Sequence, residues 1–210
     1  VDTHLGPYLG SEGENLVERT VVDESRYFWK GDKVSLRPLR IEDAEQGFID
    51  SLDSPSRVLL QLGIELPTSV EALKSFMEKY ADCKDVNGII IFRIETHAGD
   101  SVGGASLHSR NQKNGTFGFG INVRREHRRN GYAEDAVRIL LRYGFQERRF
   151  QKCNSACVAI NEASIQLHKK LGFVEEGRRR RNFFFHGAFH DDVLFGLTRE
   201  EFEAQEKSRK

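Results

Sequence analysis

The chain lacks a surplus of either charge, with Lys+Arg and Asp+Glu both 32 among 210 residues. A balanced chain has no global field to draw it to nucleic acid or to an anionic membrane surface. No apolar run approaches the roughly 20 residues that a membrane-spanning helix requires. Cysteine is scarce, present only as Cys83, Cys153 and Cys157, with no C-x-x-C spacing. An odd set of this kind is most simply read as free thiols in a reducing cytoplasm, and the missing spacing argues against a Cys/His zinc site. The opening VDTHLGPYLGSEGENLVE has neither a basic leader nor an apolar centre, so it is not read as a secretory signal. Internal repeats and low-complexity tracts are missing too. So are the phosphate loop G-x-x-x-x-G-K-[ST] and the dinucleotide fingerprint G-x-G-x-x-G, which leaves those two nucleotide-binding classes without support.

What is present suits one globular domain with an N-terminal extension. The hydrophobic fraction is 38%, with 15 Phe, enough for a substantial core carrying a sheet. Residues 1–30 are polar and end in the aromatic cluster Tyr27-Phe28-Trp29, so they are expected to be an extension, docked or partly disordered; the domain proper is expected over 31–205. Lys33–Leu39 alternates like a first strand. Helices are expected over Ile41–Leu52 and from a Thr68 or Ser69 cap to about Tyr80, with PSRVLLQLGIELPT between them as an irregular apolar segment lining a substrate pocket. Strands follow at 89–96, 102–109 and 116–123, the last two joined through Asn114-Gly115. A helix over Gly131–Arg148 places Val137, Leu140, Leu141, Gly144 and Phe145 on one face, and Glu134, Arg138 and Arg142 on a face read as solvated. A strand over 153–160 puts Cys153 and Cys157 on one side as small hydrophobes, and a helix over Glu162–Leu171 leads to two closing strands joined around His186-Gly187. The order predicts an α/β fold with a mixed sheet and helices on both faces.

The chemistry concentrates where strand 116–123 runs through Arg128-Arg129-Asn130-Gly131-Tyr132-Ala133 into a helix. Gly131 lets the backbone approach a phosphate, Ala133 stays small where the helix packs, and the N–H groups near 129–134 have no partners within the helix. A pyrophosphate placed there meets the positive end of the helix dipole, with Arg128 and Arg129 offering charge-assisted contacts. The same hexapeptide also reads as a solvated basic loop that merely starts a helix.

The pattern [QR]-x-x-G-x-[GA], filled by Arg128, Gly131 and Ala133, resembles the acetyl-CoA signature of the GNAT N-acetyltransferase superfamily. NEASIQLHKKLGFVEEG is similar to that superfamily's second conserved block. VSLRPLRIEDA and FFFHGAFHDDVLFGL resemble the opening and the terminal hairpin of its ribosomal-protein-alanine and polyamine acetyltransferase branch. One departure is Arg129, which stands where the family often has a further glycine.

The resemblance implies a mostly antiparallel central sheet, splayed where the acyl donor, acetyl-CoA, enters between strands 116–123 and 153–160. The pantetheine arm would pair with backbone groups near Ile121 and Val123, and Asn161 and Ser164 would reach the same arm. An amine acceptor would attack the thioester directly in a ternary complex, with no metal required. His168 stands where the family often has a tyrosine near the sulfur, so it is the expected acid for the departing thiolate, or a structural histidine sharing a helix face with Ser164. Glu95 and His108 lie near strand ends that could face the acceptor; each could equally be structural, with a water and no dedicated base. The acceptor is a small-molecule amine or a protein N-terminus, no nucleic acid or membrane partner is expected, and the cluster Phe183-Phe184-Phe185 with Phe189 and Phe195 reads as core or as a homodimer contact. A non-catalytic acyl-CoA sensor on the same fold is the alternative. His186, His190, Asp191 and Asp192 match metal ligands in composition only. The run Arg178–Arg181 reads as a solvated strand, or as a surface for an acidic partner.

Overall fold

The computed structural model describes residues 27–60 and 66–209. Seven strands form one sheet in the order β1-β2-β3-β4-β5-β7-β6: β1 (Val34–Pro38), β2 (Ile90–Thr96), β3 (Ser101–Asn111), β4 (Thr116–Val123), β5 (Lys152–Val158), β6 (Val174–Phe185) and β7 (Ala188–Thr198). Every neighbouring pair is antiparallel except β4 and β5. Period-2 alternation sorts the faces. Leu36, Ile94, Leu107, Phe117 and Phe119 point to one side and are buried with Val137, Leu140, Leu141 and Phe145 of the helical segment that follows β4. That segment is α4 (Tyr132–Arg142), continued by a wider π turn over Tyr143–Glu147. The wide turn brings Gly144 onto the Phe117 ring so closely that a Cβ there would collide with it. On the other side, α1 (Asp43–Ser51) and α3 (Val70–Tyr80) close a smaller cluster of Leu39, Ala44 and Met77 over Ile91. Helices therefore cover both faces, and α4 buries the apolar stripe that its sequence spacing presents.

Four expectations change. The segment after α1 is not wholly irregular: Ser54–Leu59 forms α2, because Asp53 caps it by accepting from Ser56 N and Pro55 suits its first turn. Residues 61–65 of that segment lie outside the described ones, as do 1–26 of the extension. A closing helix, α6 (Arg199–Arg209), follows the hairpin. Its signal is Thr198-x-x-Glu201, a capping box in which Thr198 N donates to Glu201 Oε2 at 2.8 Å and Glu201 N donates to Thr198 Oγ1 at 3.3 Å. The Glu134/Arg138/Arg142 face is not free in solvent. Arg138 bridges Glu134 and Glu206 of α6, while Arg142 donates to the Phe28 carbonyl at 2.6 Å and stacks on the Phe28 ring. Last, the spacing of Val70, Leu73, Phe76 and Met77 implies one apolar face on α3, yet Phe76 is 40% exposed. Residues flanking the sheet pack near the π turn instead: Trp29 stacks on Phe92 at 5.1 Å and meets Tyr143 at 4.9 Å, and Phe202 packs on Phe145.

α5 (Glu162–Lys170) ends at Gly172, whose φ of +77° suits the left-handed exit from a helix. Cys153 and Cys157 are buried and free, and burial raises both thiols above their ordinary range. All of Arg178–Arg181 are exposed on β6, where Arg178 pairs with Glu175 and Arg179 with the buried Asp192. No described helix is long and apolar enough to cross a membrane.

One contact ties the first strand to α4. The Asp135 carboxylate accepts three consecutive backbone N–H groups, from Asp32 (3.1 Å), Lys33 (2.8 Å) and Val34 (3.0 Å). Charge-assisted bonds of this kind are among the stronger ones. Asp135→Ala is expected to lower unfolding free energy by about 2–3 kcal/mol in urea titrations, without changing the denaturant slope.

Candidate functional site

β4 and β5 run side by side for only two ladder pairs, Thr116↔Lys152 and Phe117↔Cys153, and then part. Beyond Phe117, β4 remains paired to β3 on one edge, with Ile121 opposite Ala105 and Val123 opposite Gly103. Its other edge faces the gap, which is the splay that the sequence led us to expect. Buried backbone groups need partners, so a ligand threaded along this edge is the natural way to satisfy them. One gap-facing group is already used: the Val123 carbonyl accepts from Arg128 Nε at 3.1 Å.

The mouth of the gap is built by the turn between β4 and α4. A short 3-10 turn, Arg125–His127, redirects the chain. Arg129 (φ +65°) and Gly131 (φ +82°) then take left-handed conformations, and Gly131 caps α4 without a side-chain acceptor. Asn130 braces the turn internally by donating from Nδ2 to the His127 carbonyl at 3.1 Å. The first-turn N–H groups of Tyr132, Ala133 and Glu134 therefore point out of the helix end with no carbonyl below them. Two of the expected cations behave differently. Both are exposed, but Arg128 reaches across to α2, adding a 2.6 Å bond to Ser56 Oγ, while Arg129 stands at the helix start. A third cation was not apparent in the sequence. Lys33 Nζ donates to the Asn130 carbonyl at 2.7 Å and would stand 2.8 Å from a Cβ at Gly131. Only the fold brings it within reach, across about a hundred residues of chain, so no local motif could have announced it.

α5 supplies the opposite wall. Asn161 caps it by accepting from Ser164 N at 3.1 Å, and donates from Nδ2 to the Leu59 carbonyl of α2 at 3.3 Å. His168 is 2% exposed. Its ring stacks on Phe195 (4.6 Å between centroids), faces Phe119 and meets Phe173 edge-on. Nδ1 lies 2.7 Å from the Ser164 carbonyl, with Ser164 Oγ at 3.4 Å, and Nε2 lies 2.7 Å from Ser155 Oγ on β5. A carbonyl can only accept, so Nδ1 carries the proton and Nε2 accepts from the Ser155 hydroxyl. Burial holds the imidazole below its ordinary pKa, partly offset by the Ser164 carbonyl. Lys170 is bound to Glu134 at 2.7 Å and ties α5 to α4. Glu95 is bound to Arg37 at 2.5 Å, whereas His108 lies against Gly118 where the strands begin to part.

On the face of the sheet covered by α1 and α2, a cleft opens between those helices and the end of β4, lined by Asp50, Asp53, Ser56, Asn122, Arg125 and Arg128 among others. Its acids are already paired: Asp50 with Arg124 at 2.9 Å and Asp53 with Arg125 at 3.0 Å. Ser56 and Arg125 together hold the Asp53 carboxyl below its ordinary range.

Comparisons agree with this geometry. A family model described as an acetyltransferase (GNAT) domain matches residues 33–174. An uncharacterized N-acetyltransferase of Bacillus subtilis, YokL, is 34% identical over 177 residues, covering 84% of this chain and 96% of the relative. Spermidine N(1)-acetyltransferase of Escherichia coli is 23% identical, covering 83% and 91%. The crystal structure of spermidine N-acetyltransferase from Vibrio cholerae in complex with CoA and spermine shares the fold, with a TM-score of 0.70 at 22% identity, over 81% of this chain and 98% of that one. The parted strands, the glycine-capped helix beside them and these likenesses lead to one conclusion: the chain belongs to the GNAT family of acetyl-CoA-dependent N-acetyltransferases.

Proposed function

We propose that this chain moves an acetyl group from acetyl-CoA to a primary amine by direct attack in a ternary complex, and that its acceptor is an α-amino group of a small molecule or protein N-terminus, not a polyamine. The observation that carries the donor half is the gap between β4 and β5, which leads from the last paired residue, Phe117, to the start of α4. The residues there fit a long, pyrophosphate-bearing thioester. Gly131 lets the Lys33 ammonium lie against the backbone; the N–H groups of Tyr132 and Ala133, together with Arg129, Asn130 and Lys33, form a seat for an anion. Backbone groups at Ile121 and Val123 line the arm, with Arg128 swinging from the Val123 carbonyl to the phosphates as the arm enters. A β4 N–H in the gap polarises the thioester carbonyl.

Asn161 and Ser164 fix the start of α5 along the opposite wall. His168 acts through Ser155. With Nδ1 protonated toward Ser164 and Nε2 accepting from the Ser155 hydroxyl, both ring nitrogens are occupied, and the imidazole fixes the rotamer of Ser155 on β5. The acceptor half rests on charge. Four arginines and three acids line the cleft, and two of those acids are spent on arginines, so a second ammonium finds no carboxylate cluster there. The spermidine acetyltransferases share this fold, and the pairing of the cleft acids with arginines is what supports a different acceptor here.

An amine panel spanning amino acids, peptides with free N-termini and spermidine tests both halves. Thiol release from acetyl-CoA and the gain of one acetyl group by mass spectrometry are expected with the first two classes. Preference for spermidine would overturn the acceptor assignment, while tight acetyl-CoA binding with no turnover on any amine would instead favour a non-catalytic acyl-CoA sensor. Gly131→Ala forces a side chain into a left-handed position costing about 1–2 kcal/mol, and is expected to raise the KM for acetyl-CoA about tenfold. His168→Phe is expected to lower kcat more than it changes that KM; an unchanged kcat would remove His168 from the reaction.

His168 also has a pH signature. Its folded pKa lies below the unfolded value of about 6.5, so the unfolded chain binds more protons once pH falls below that value. Its contribution is complete above about pH 6.5 and declines as pH falls toward the folded pKa. The loss of urea stability between about pH 7.5 and 5.5 is expected to shrink in His168→Phe.

A further inference from the structure

We infer that His108 is the general base of this enzyme, taking the proton that the acceptor amine must lose before it attacks; this rests on the acetyl-transfer reading above. The inference starts from two glycines. Gly118 and Gly120 sit on β4 directly beyond its last pair with β5, opposite His108 and Ser106 of β3. A Cβ on Gly118 would stand 2.9 Å from His108 Cε1 and 3.0 Å from the Asn154 carbonyl, and one on Gly120 would stand 2.7 Å from Ser106 Oγ. The glycines are therefore a seat for the His108 ring at the vertex of the gap. That vertex is as deep as a cofactor arm can reach when its phosphates are held at the start of α4, so the thioester ends beneath the imidazole.

The same alternation runs outward. Gly118, Gly120 and Asn122 share one face of β4, and Asn122 lines the cleft between α1, α2 and the end of β4. One face of β4 thus runs from the cleft at Asn122 to His108, with only Ser106 Oγ and the ring itself over the two glycines. Four residues of strand separate the two ends, about 13 Å, which is room for the body of an amino-acid or peptide acceptor in the cleft with its amine at the ring.

The ring is placed to be neutral, with one nitrogen donating to the Phe119 backbone and the other left as an acceptor. Its Nδ1 lies 3.0 Å from Ser109 Oγ. Burial lowers its pKa, and a hydrogen bond to the Phe119 backbone works in the other direction; no charged side chain contributes. The facing groups are the Gly118 and Gly120 backbone of β4, the Asn154 carbonyl of β5 and Ser106 of its own strand. The nearest charges along the neighbouring strands are paired, Arg110 with Asp85 at 2.6 Å and Lys152 with Glu176 at 2.6 Å. Glu95, the other candidate on this face, is held by Arg37. In the reaction, the unprotonated His108 nitrogen removes one proton from the acceptor ammonium. The freed lone pair forms the C–N bond and the C–S bond breaks. The thiolate leaves with that electron pair and takes the second amine proton, while His108 returns its proton to water.

The test is a pH profile of kcat/KM for the acceptor in wild type, His108→Gln and His108→Asn, with acetyl-CoA Kd and melting temperature measured on each. The wild type is expected to show an acidic limb set by a group titrating below about 6.5. Both variants are expected to lose that limb, to drop at least about 100-fold near neutral pH, and to recover partly as the amine deprotonates unaided in alkali. Acetyl-CoA Kd is expected to stay within about twofold, well under 1 kcal/mol. A folded variant of either kind with wild-type kcat/KM and an unchanged limb overturns the assignment. A wild type that acetylates no amine overturns the acetyl-transfer reading itself, and His108 with it. Should neither variant fold, Ser109→Ala decides: loss of the Nδ1 contact shifts the acidic limb if His108 is the base and leaves it in place if it is not.

Discussion

Everything in this molecule depends on where β4 lets go of β5. The two strands hold for Thr116 and Phe117, and the Phe117 side chain is locked between Phe145, Phe150 and the close approach of Gly144. The parting therefore has a fixed origin. From that origin outward, one strand edge is open along a path that ends at the start of α4. A sheet that stayed zipped would bury more hydrogen bonds and bind nothing between its strands.

The parted region is supported from both faces by different physics. On the α4 side the support is apolar, a phenylalanine-rich core that also encloses His168. On the other side it is ionic. Arg37 grips Asp43 with two bonds of 2.8 Å and also holds Glu95, while Arg93 lies buried between Asp43 and Asp50. Burial disfavours the charge on Arg93, and the flanking carboxylates oppose that effect. The network places α1, and with it the cleft, at a set distance from the sheet. It also pairs the carboxylates of Asp43, Asp50 and Glu95 with arginines.

The legible parts of the sequence were those where local spacing and chemistry coincide. The apolar stripe of α4, the Asn114-Gly115 hairpin and the Asn161 cap each carry their signal within a few residues, and the structure places them as the spacing implies. What stayed illegible was made by distant residues meeting. Lys33 reaches the Asn130 carbonyl, Asp135 gathers the N–H groups of Asp32 to Val34, and Arg128 turns back onto Ser56; each joins segments some 70 to 100 residues apart. His168 sits between these cases. Its helix face was readable, but the aromatic box around it came from β4, β7 and the loop after α5. α6 was announced by Thr198-x-x-Glu201, a cap whose helix lies past the final strand.

The two-pair junction also divides the sheet into unequal leaves, β1 to β4 on one side and β5, β7 and β6 on the other. Across most of the seam no backbone ladder carries load between them. The leaves are held in register by what spans the seam from outside: α4 and its π turn, the Lys170–Glu134 tie and the Asn161 bond to α2. A ligand lying along the seam would meet the open edge of β4 where the rungs to β5 stop. On the function proposed above, donor binding would complete the sheet as much as fill a site.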